Sequence, residues 1–254
     1  MASEAEHVAG IPVLEIGAGT GQLTQALADA GAAVVAVELD EALCDFLRRR
    51  FAGDPRVHVV CANILDHDPE AFLNDAGLAG PYAIVANIPY YITALILRRV
   101  LEARMPPRRI VLTVQQEVAE SIVAAPGQMS LLSVSVQFFA TATLLFRIPP
   151  TAFRPRPKVN SAVVRIEVSP APRIHVEDVD LFFEVVRAGF RAPRKQIHNA
   201  LNLKLWLPPG GAIGLLDDAG IDPMRRAQSL TLDEWRSLYE AYAKHKKRLG
   251  SSPA

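Results

Sequence analysis

A glycine-rich segment separates the first apolar strand pattern of the chain from its first helical pattern. It reads Glu15-Ile-Gly17-Ala-Gly19-Thr-Gly21, after the apolar run Val13–Ile16 and before a helix that begins near Gln22. Glycines permit a tight turn and let a ligand approach the backbone closely. A strand, a glycine loop and a helix in this order open the nucleotide-binding half of a doubly wound sheet, so the segment predicts an α/β fold.

The same alternation continues through the first half of the chain and then stops. Strand patterns at 33–38, 57–61, 82–87 and 109–114 alternate with helical patterns at 41–51, 94–103 and 116–124. This order predicts a parallel sheet with right-handed crossovers. Apolar runs at 131–139, 143–148 and 162–168 then follow without helices between them, which predicts late edge strands with antiparallel pairing. Beyond Pro172 the apolar spacing becomes helical, so we expect a first domain over 1–171 and a small helical domain over 172–254.

Composition limits the cellular setting. No apolar run approaches 18 residues, which argues against a membrane span, and the first dozen residues lack the features of a signal peptide. Cys44 and Cys61 have neither a CxxC spacing nor a nearby histidine pair. We therefore expect two separate buried thiols, no disulfide, no metal site and a cytoplasmic protein.

The charges of the two halves of the chain differ in sign although the net charge is zero. Residues 1–145 carry 9 Lys/Arg against 16 Asp/Glu, and residues 146–254 carry 18 against 11. The basic second half predicts a polyanionic partner. The alternative is a solvated basic surface, and the run Lys244–Arg248 is more typical of a solvated end.

Acidic and amide side chains follow the second and third strand patterns. Glu38 ends the second strand 21 residues after Gly17, where a carboxylate binds ribose hydroxyls. Asn63 follows the third strand and is a candidate for the adenine edge of the same cofactor, its alternative being an ordinary loop residue. These features indicate a ribose-bearing cofactor without separating nicotinamide dinucleotides from S-adenosylmethionine.

Asn87 ends the fourth strand pattern, and Pro89 and Tyr90 follow it, where an Asn-Pro-type turn is the plainer interpretation. An amide oxygen and a backbone carbonyl at this edge can accept hydrogen bonds from the two N–H groups of an exocyclic amino group, while Tyr90 stacks on the base. A hydride-transfer enzyme would normally add a catalytic His, Lys or Tyr in a substrate domain, and the six histidines of this chain do not form such a site. Methyl transfer from a sulfonium needs no metal and little general-base help, so it fits better.

Phe153 lies in a proline-rich segment whose neighbours Arg154, Arg156 and Lys158 are cationic. A target base in RNA is splayed out and held between aromatic planes, and this ring could supply one of them. A proline-rich connector with a core phenylalanine is the alternative.

Several segments together resemble the ribosomal RNA adenine N6,N6-dimethyltransferases, the kasugamycin-sensitivity enzymes, which are kin to the erythromycin-resistance methylases. They are Glu15-Ile-Gly-Ala-Gly-Thr-Gly-Gln-Leu-Thr24, Val37-Glu38, Asn87-Ile-Pro-Tyr-Tyr-Ile-Thr93, Phe153-Arg-Pro-Arg-Pro-Lys-Val-Asn-Ser161 and Arg187-Ala-Gly-Phe-Arg191. The resemblance implies a Rossmann-like class I methyltransferase sheet and S-adenosylmethionine as the cofactor. It also implies dimethylation of two adjacent adenines near the 3′ end of small-subunit rRNA, coupled to ribosome assembly.

The resemblance assigns roles to residues of this chain. Cofactor-binding positions are Glu15, Gly17, Gly19, Glu38, Asn63 and Asn87. Catalytic positions around the target adenine are Asn87, Pro89, Tyr90 and Phe153. RNA-binding positions are Arg154, Arg156, Lys158, Arg191, Arg194 and Lys195. The implied partner is small-subunit rRNA or a pre-30S particle, bound by a monomer; the alternatives are a large-subunit resistance methylase or an assembly factor impaired in catalysis.

The chain departs from the family pattern at two places. Asn63 stands where the family usually has Asp, which keeps an acceptor oxygen but loses a charge-assisted hydrogen bond. Only twelve residues precede Val13, and none matches the Gly-Gln-Asn-Phe-Leu-like segment that closes over the cofactor. Either the true start lies upstream or the cofactor site is more open, with weaker cofactor retention.

Overall fold

A seven-stranded sheet forms the centre of the protein, in the strand order β3-β2-β1-β4-β5-β7-β6. The computed structural model describes residues 10–88, 92–154, 156–205, 207–208 and 210–250. The strands are β1 (Val13–Ile16), β2 (Val34–Glu38), β3 (Val57–Cys61), β4 (Ala83–Asn87), β5 (Arg109–Gln115), β6 (Ala140–Ile148) and β7 (Ser161–Val168). The helices are α1 (Gln22–Asp29), α2 (Glu41–Arg50), α3 (Pro69–Asp75), α4 (Thr93–Leu101), α5 (Gln116–Ile122), α6 (Leu131–Phe139), α7 (Val179–Gly189), α8 (Ile197–Asn202), α9 (Gly211–Asp218) and α10 (Leu232–Gly250).

Strands β1 to β5 are parallel, whereas β7 runs antiparallel between β5 and β6. The central strands are uninterrupted apolar runs, such as Val34–Val37 in β2, because both faces of a parallel sheet are covered. Burying each such side chain contributes about 1.5–3 kcal/mol. The doubly wound α/β fold is confirmed, and so are two of the three predicted late strands, β6 and β7, with their antiparallel pairing.

The chain divides into two compact units. The first comprises Met1–Glu120 and Phe139–Pro170, and the second comprises Ser121–Phe138 and Ala171–Ala254. In the second unit, the Phe138 ring stacks on that of Phe182 at 4.9 Å, and Gly127 N donates to Gln228 O at 2.8 Å. These contacts join Ser121–Phe138 to the C-terminal helices, a membership that the linear sequence does not indicate.

The prediction of a strand at 131–139 is wrong, because this segment forms α6. Its sequence alternates Val with Ser, which is typical of a strand. Ser130 and Ser133 start a helix instead: Ser133 N donates to Ser130 Oγ at 3.2 Å, and Ser130 N donates to Ser133 Oγ at 2.8 Å. This reciprocal capping satisfies two backbone donors that a helix start otherwise leaves unpaired.

The prediction of two separate thiols is also wrong, since Cys44 and Cys61 form a disulfide. Cys44 lies on the buried face of α2, which packs against β3, and Cys61 ends that strand. Their Cα atoms are 5.7 Å apart, a separation that a disulfide spans. Residue spacing alone does not reveal this pairing, because it depends on which face of the helix meets the end of the strand.

Within the described ranges, no helix has the length and apolar character needed to cross a lipid bilayer.

Candidate active site

The glycine loop between β1 and α1 has the left-handed backbone that its sequence suggests. The φ angles of Gly17, Gly19 and Gly21 are 72°, 58° and 77°. Gly17 N donates to Val37 O at 2.8 Å, which fixes the loop against the end of β2. A Cβ atom at Gly21 would lie 2.7 Å from Leu47 Cδ2, so a side chain there meets α2. The loop therefore keeps its backbone open toward the carboxyl edge of the sheet.

Glu38 is held at the end of β2 by three backbone N–H groups. Its Oε2 accepts from Gly19 N at 2.8 Å, and its Oε1 accepts from Leu39 N at 2.8 Å and from Asp40 N at 3.1 Å. A carboxylate offers about four acceptor positions, so one remains for a ligand hydroxyl. The carboxylate is thus pre-oriented beside the glycine loop.

A cavity of about 350 Å³ opens at the carboxyl ends of β1, β2 and β3. Its lining residues are Ile16, Gly17, Val37, Glu38, Leu39, Asp40, Ala62, Asn63, Ile64 and Ile92. This volume falls in the range of small-molecule sites, which are mostly apolar with a few placed polar groups. Apolar walls for a flat ring and a carboxylate for ribose hydroxyls fit the nucleoside part of S-adenosylmethionine.

Asn63 lines this cavity with its amide held in a local turn. Its Oδ1 accepts from Leu65 N at 3.1 Å, and its Nδ2 donates to Asp66 Oδ1 at 3.2 Å. The oxygen keeps a second lone pair for an adenine amino group. Asp66, which the sequence did not single out, thereby orients the residue that replaces the family's aspartate.

Glu15 lies beneath the glycine loop, 1% exposed, and is not among the described residues that line the cavity. Thr24 Oγ1 donates to its Oε2 at 2.6 Å, while Oε1 has no hydrogen-bond partner among the described residues. Burial, opposed by the Thr24 hydrogen bonds and assisted by the charge of Glu38, raises the pKa of Glu15 to about 7. Its role in cofactor binding stays a prediction.

Asn87 ends β4 directly beside the glycine loop. Its side chain is exposed, and a Cβ atom at Gly17 would lie 3.9 Å from its backbone oxygen. The register of β4 with β5 pairs it with Thr113. Pro89 and Tyr90 lie outside the described residues. The structure therefore brings the Asn87 backbone, Gly17 and Glu38 to one edge of the sheet, as the strand-end argument expects.

The connection between β6 and β7 carries the Phe153 segment. A short 3-10 turn at Pro150–Ala152 leads to Phe153, whose N donates to Pro150 O at 3.3 Å. The Phe153 ring is half-buried, whereas Arg154, Arg156 and Lys158 are exposed. In the second unit, Arg191, Arg194 and Lys195 are exposed between α7 and α8. All six cationic side chains are thus accessible to a polyanion, and their contacts with RNA stay predictions.

Several apolar residues of the cavity wall were not predicted from the sequence. Leu39 is 68% exposed directly after Glu38, and Ile64 and Ile92 complete the apolar lining. A leucine that follows a ribose-binding carboxylate was an available signal for the first of these. No group of three His, Cys, Asp or Glu suited to a metal ion occurs in the part of the chain that the structure describes.

A family model described as ribosomal RNA adenine dimethylase matches residues 3–244. A ribosomal RNA small subunit methyltransferase A of Dehalococcoides mccartyi (strain CBDB1) is 43% identical over 232 residues, covering 91% of this chain and 78% of the relative. One of Desulfitobacterium hafniense (strain DSM 10664 / DCB-2) is 41% identical over 237 residues, covering 92% and 83%.

Solved structures agree with the fold. The 23S rRNA methyltransferase ErmE has a TM-score of 0.70 and 29% identity, covering 94% of this chain and 95% of its own. A dimethyladenosine transferase from Plasmodium falciparum has a TM-score of 0.76 at 22% identity, with 96% of each chain covered. From the glycine loop through the C-terminal helices, the chain belongs to the ribosomal RNA adenine dimethylase family.

Proposed function

We propose that the protein dimethylates N6 of two adjacent adenines near the 3′ end of small-subunit rRNA. The observation that carries the proposal is the position of Asn87 at the carboxyl end of β4, beside the Gly17 backbone and the cavity that contains Glu38. S-adenosylmethionine is the cofactor of this class I methyltransferase fold, and when bound it supplies an electrophilic methyl group.

The residues at the carboxyl edge of the sheet have separate roles in this proposal. Glu38 and Asn63 hold the ribose and adenine of the cofactor, with Glu15, Gly17 and Gly19 shaping its backbone cradle. Asn87, Pro89 and Tyr90 hold the target adenine. The Asn87 amide oxygen and a neighbouring backbone carbonyl accept hydrogen bonds from the two N–H groups of the target amino group, so that its nitrogen lone pair points at the methyl group, and Tyr90 stacks on one face of the base. Phe153 stacks on the opposite face of the target base.

We assign RNA binding to Arg154, Arg156 and Lys158 in the first unit and to Arg191, Arg194 and Lys195 in the second. The second unit, which includes residues 172–254, then serves as the helical RNA-recognition domain. We propose a pre-30S particle as the physiological substrate, a monomeric enzyme and a cytoplasmic location. The small-subunit choice is supported by relatives of 43% and 41% identity, against 29% for ErmE.

The test supplies the purified protein and S-adenosylmethionine to pre-30S particles, free small-subunit rRNA and large-subunit rRNA. Mass mapping of the RNA should find dimethyladenine at two adjacent positions of the small-subunit RNA. Methylation of large-subunit RNA alone would support a resistance methylase. Binding of pre-30S particles without methylation of any RNA would support an assembly factor. Light scattering during chromatography reports the oligomeric state.

Asn87→Ala identifies the site within the same assay. Loss of one pre-positioned acceptor should raise the barrier by about 2.7–4 kcal/mol, which slows methylation roughly 100- to 1000-fold. RNA affinity should change little, because many phosphate contacts share it. Asn74→Ala, which removes an exposed amide from α3, is the matched control. Near-normal turnover by Asn87→Ala would remove Asn87 from the mechanism.

A further inference from the structure

A second cavity, of about 410 Å³, lies at the carboxyl end of β5. In the sheet, β4 separates β5 from β1, so this cavity lies on the side of Asn87 opposite the glycine loop. Neither Asn87 nor Phe153 is among the described residues that line it. The space is therefore distinct from the cofactor cavity, and it lies at the end of the strand that pairs with β4 at Asn87, where Asn87 is opposite Thr113.

The walls of this cavity join the start of α5 to both ends of the Phe153 connection. Pro150 lies before Phe153, and Lys158 and Asn160 lie after it. Gln116 N donates to Asn160 O at 3.0 Å, which fixes one end of the connection to α5. Since Pro150, Lys158 and Asn160 flank Phe153 in the chain, an RNA strand with its adenine between Asn87 and Phe153 would pass these walls on one side of that adenine. The cavity thus lies where the next nucleotide of the strand would be.

The chemistry of the lining is suited to a base and not to phosphates alone. Gln115, Gln116 and Asn160 carry amides, each of which offers both donors and an acceptor. The carboxylates of Glu117 and Glu120 also line the space, and two anions would repel a run of phosphates. Base edges of single-stranded RNA, by contrast, present N–H donors that carboxylates and amides accept.

Glu120 fixes one of these amides in position. Its Oε1 accepts from Gln116 Nε2 at 2.8 Å and from Arg147 Nη2 at 3.1 Å. The hydrogen bond from Gln116, together with Arg147, lowers the pKa of Glu120. Because Gln116 donates to Glu120, its amide oxygen remains available as an acceptor. Glu117 and Lys158 form no ion pair with any described residue, so both charges are available to a ligand.

We propose that this cavity binds the nucleobase next to the target adenine in the RNA strand. Gln116, Asn160 and Glu117 read the hydrogen-bonding edge of that base, and Lys158 contacts its phosphate. The inference rests on the proposed function and adds to it a specificity subsite formed at the end of β5.

The test uses RNA hairpins that contain the target adenines, in which the flanking bases are removed one at a time to leave an abasic ribose. Fluorescence anisotropy measures their affinity for the wild type, Asn160→Ala, Glu117→Gln and the control Asn74→Ala. Methylation of the same hairpins is measured separately. Glu117 is exposed, so Glu117→Gln remains informative if Asn160→Ala fails to fold.

We expect one flanking position where removal of the base weakens binding to the wild type about tenfold. Asn160→Ala should weaken binding of the intact hairpin to a similar extent, and base removal should then cost less than about twofold further. Absence of any sensitive position, or fully additive losses, would overturn the subsite. If the position-dependent binding is present but the wild type methylates no hairpin, the proposed function fails while the base site stands.

Discussion

At the residue scale, Gly21 combines a left-handed backbone with close packing. Its φ is 77°, and a Cβ atom there would lie 2.7 Å from Leu47 Cδ2 and 2.8 Å from Phe51 Cε2. Gly31 has a φ of 87° but no atom within 4 Å of such a Cβ. Alanine substitutions at Gly31 and Gly21 therefore separate the free-energy cost of a left-handed backbone from the cost of steric overlap with Leu47 and Phe51.

We expect Gly31→Ala to lower the free energy of unfolding by about 1–2 kcal/mol, the cost of a left-handed alanine. Gly21→Ala should lose a further amount of about 1–3 kcal/mol, because Leu47 and Phe51 must move. Denaturant unfolding without cofactor measures both. Equal decreases in the free energy of unfolding in the two variants would show that Leu47 and Phe51 move aside for a side chain at Gly21 without cost.

Glu15 makes the stability of the protein depend on pH. Its folded pKa is about 7 against an ordinary value of 4.5, so between these values the folded chain binds the proton more tightly than the unfolded chain. The wild type therefore loses stability as the pH rises through this window. Glu15→Gln keeps an acceptor for Thr24 without the buried charge.

The free energy of unfolding of Glu15→Gln, relative to the wild type, should rise between pH 5 and pH 8 by about 1–3 kcal/mol. Glu41→Gln, at an exposed position in the first turn of α2, controls for the removal of one carboxylate. A pH-independent difference between Glu15→Gln and the wild type would show that Glu15 titrates alike in both states.

The sequence predicts that Gly17, Glu38 and Asn63 lie together, because the carboxyl ends of parallel strands meet at one edge, and all three line one cavity. The same rule could not reveal Asp66, whose effect depends on a 3.2 Å contact within a turn. It also could not show that the Glu15 side chain is buried against Thr24, since a residue inside a strand faces either side of the sheet.

At the scale of elements, the disulfide ties α2 to the end of β3. It joins residues 17 positions apart, and closing a loop of this length contributes about 3 kcal/mol in the chain-entropy model. Reductant should therefore lower the unfolding midpoint of the wild type. A variant with both Cys44→Ser and Cys61→Ser should have an unfolding midpoint close to that of the reduced wild type, and reductant should not change this midpoint. Identical midpoints for oxidised and reduced wild type, with two thiols titrated in each, would contradict the disulfide.

The elements that sequence reasoning located best are those with local signals. The helical spacing predicted beyond Pro172 includes α7 (Val179–Gly189), whose start is set by Asp178, since Asp178 Oδ1 accepts from Leu181 N at 2.9 Å. Helix α6 was missed because its alternating Val and Ser residues favour a strand, while the Ser130–Ser133 capping that decides the outcome requires the helix to exist. Helix α3, only seven residues long, was not predicted at all.

At the scale of the whole molecule, the charge difference between the halves predicts how salt acts. Residues 146–254 have a balance of +7 and residues 1–145 a balance of −7. RNA affinity should fall steeply with salt, because bound cations release counterions from the RNA. Affinity for S-adenosylmethionine, measured by calorimetry, should change much less.

Replacement of Arg191, Arg194 and Lys195 by Ala should reduce the slope of log affinity against log salt by about 2, since each phosphate contact on single strands contributes about 0.7. The triple replacement of Arg48, Arg49 and Arg98 by Ala, all in the acidic half, is the matched control. An unchanged slope in the first variant would place the RNA elsewhere.

The position of the Phe153 connection has a consequence for how such enzymes diversify. Residues 149–160 join β6 to β7, and β7 meets the parallel strands only through β5. The cavity for the methyl donor is lined by residues at the ends of β1, β2 and β3 and by Ile92, and no residue of the connection is among them. A lineage can therefore lengthen, shorten or recharge the connection without disturbing the donor site. We therefore expect exchange of this surface segment around Phe153 to change which RNA is bound, while the donor site itself stays unchanged.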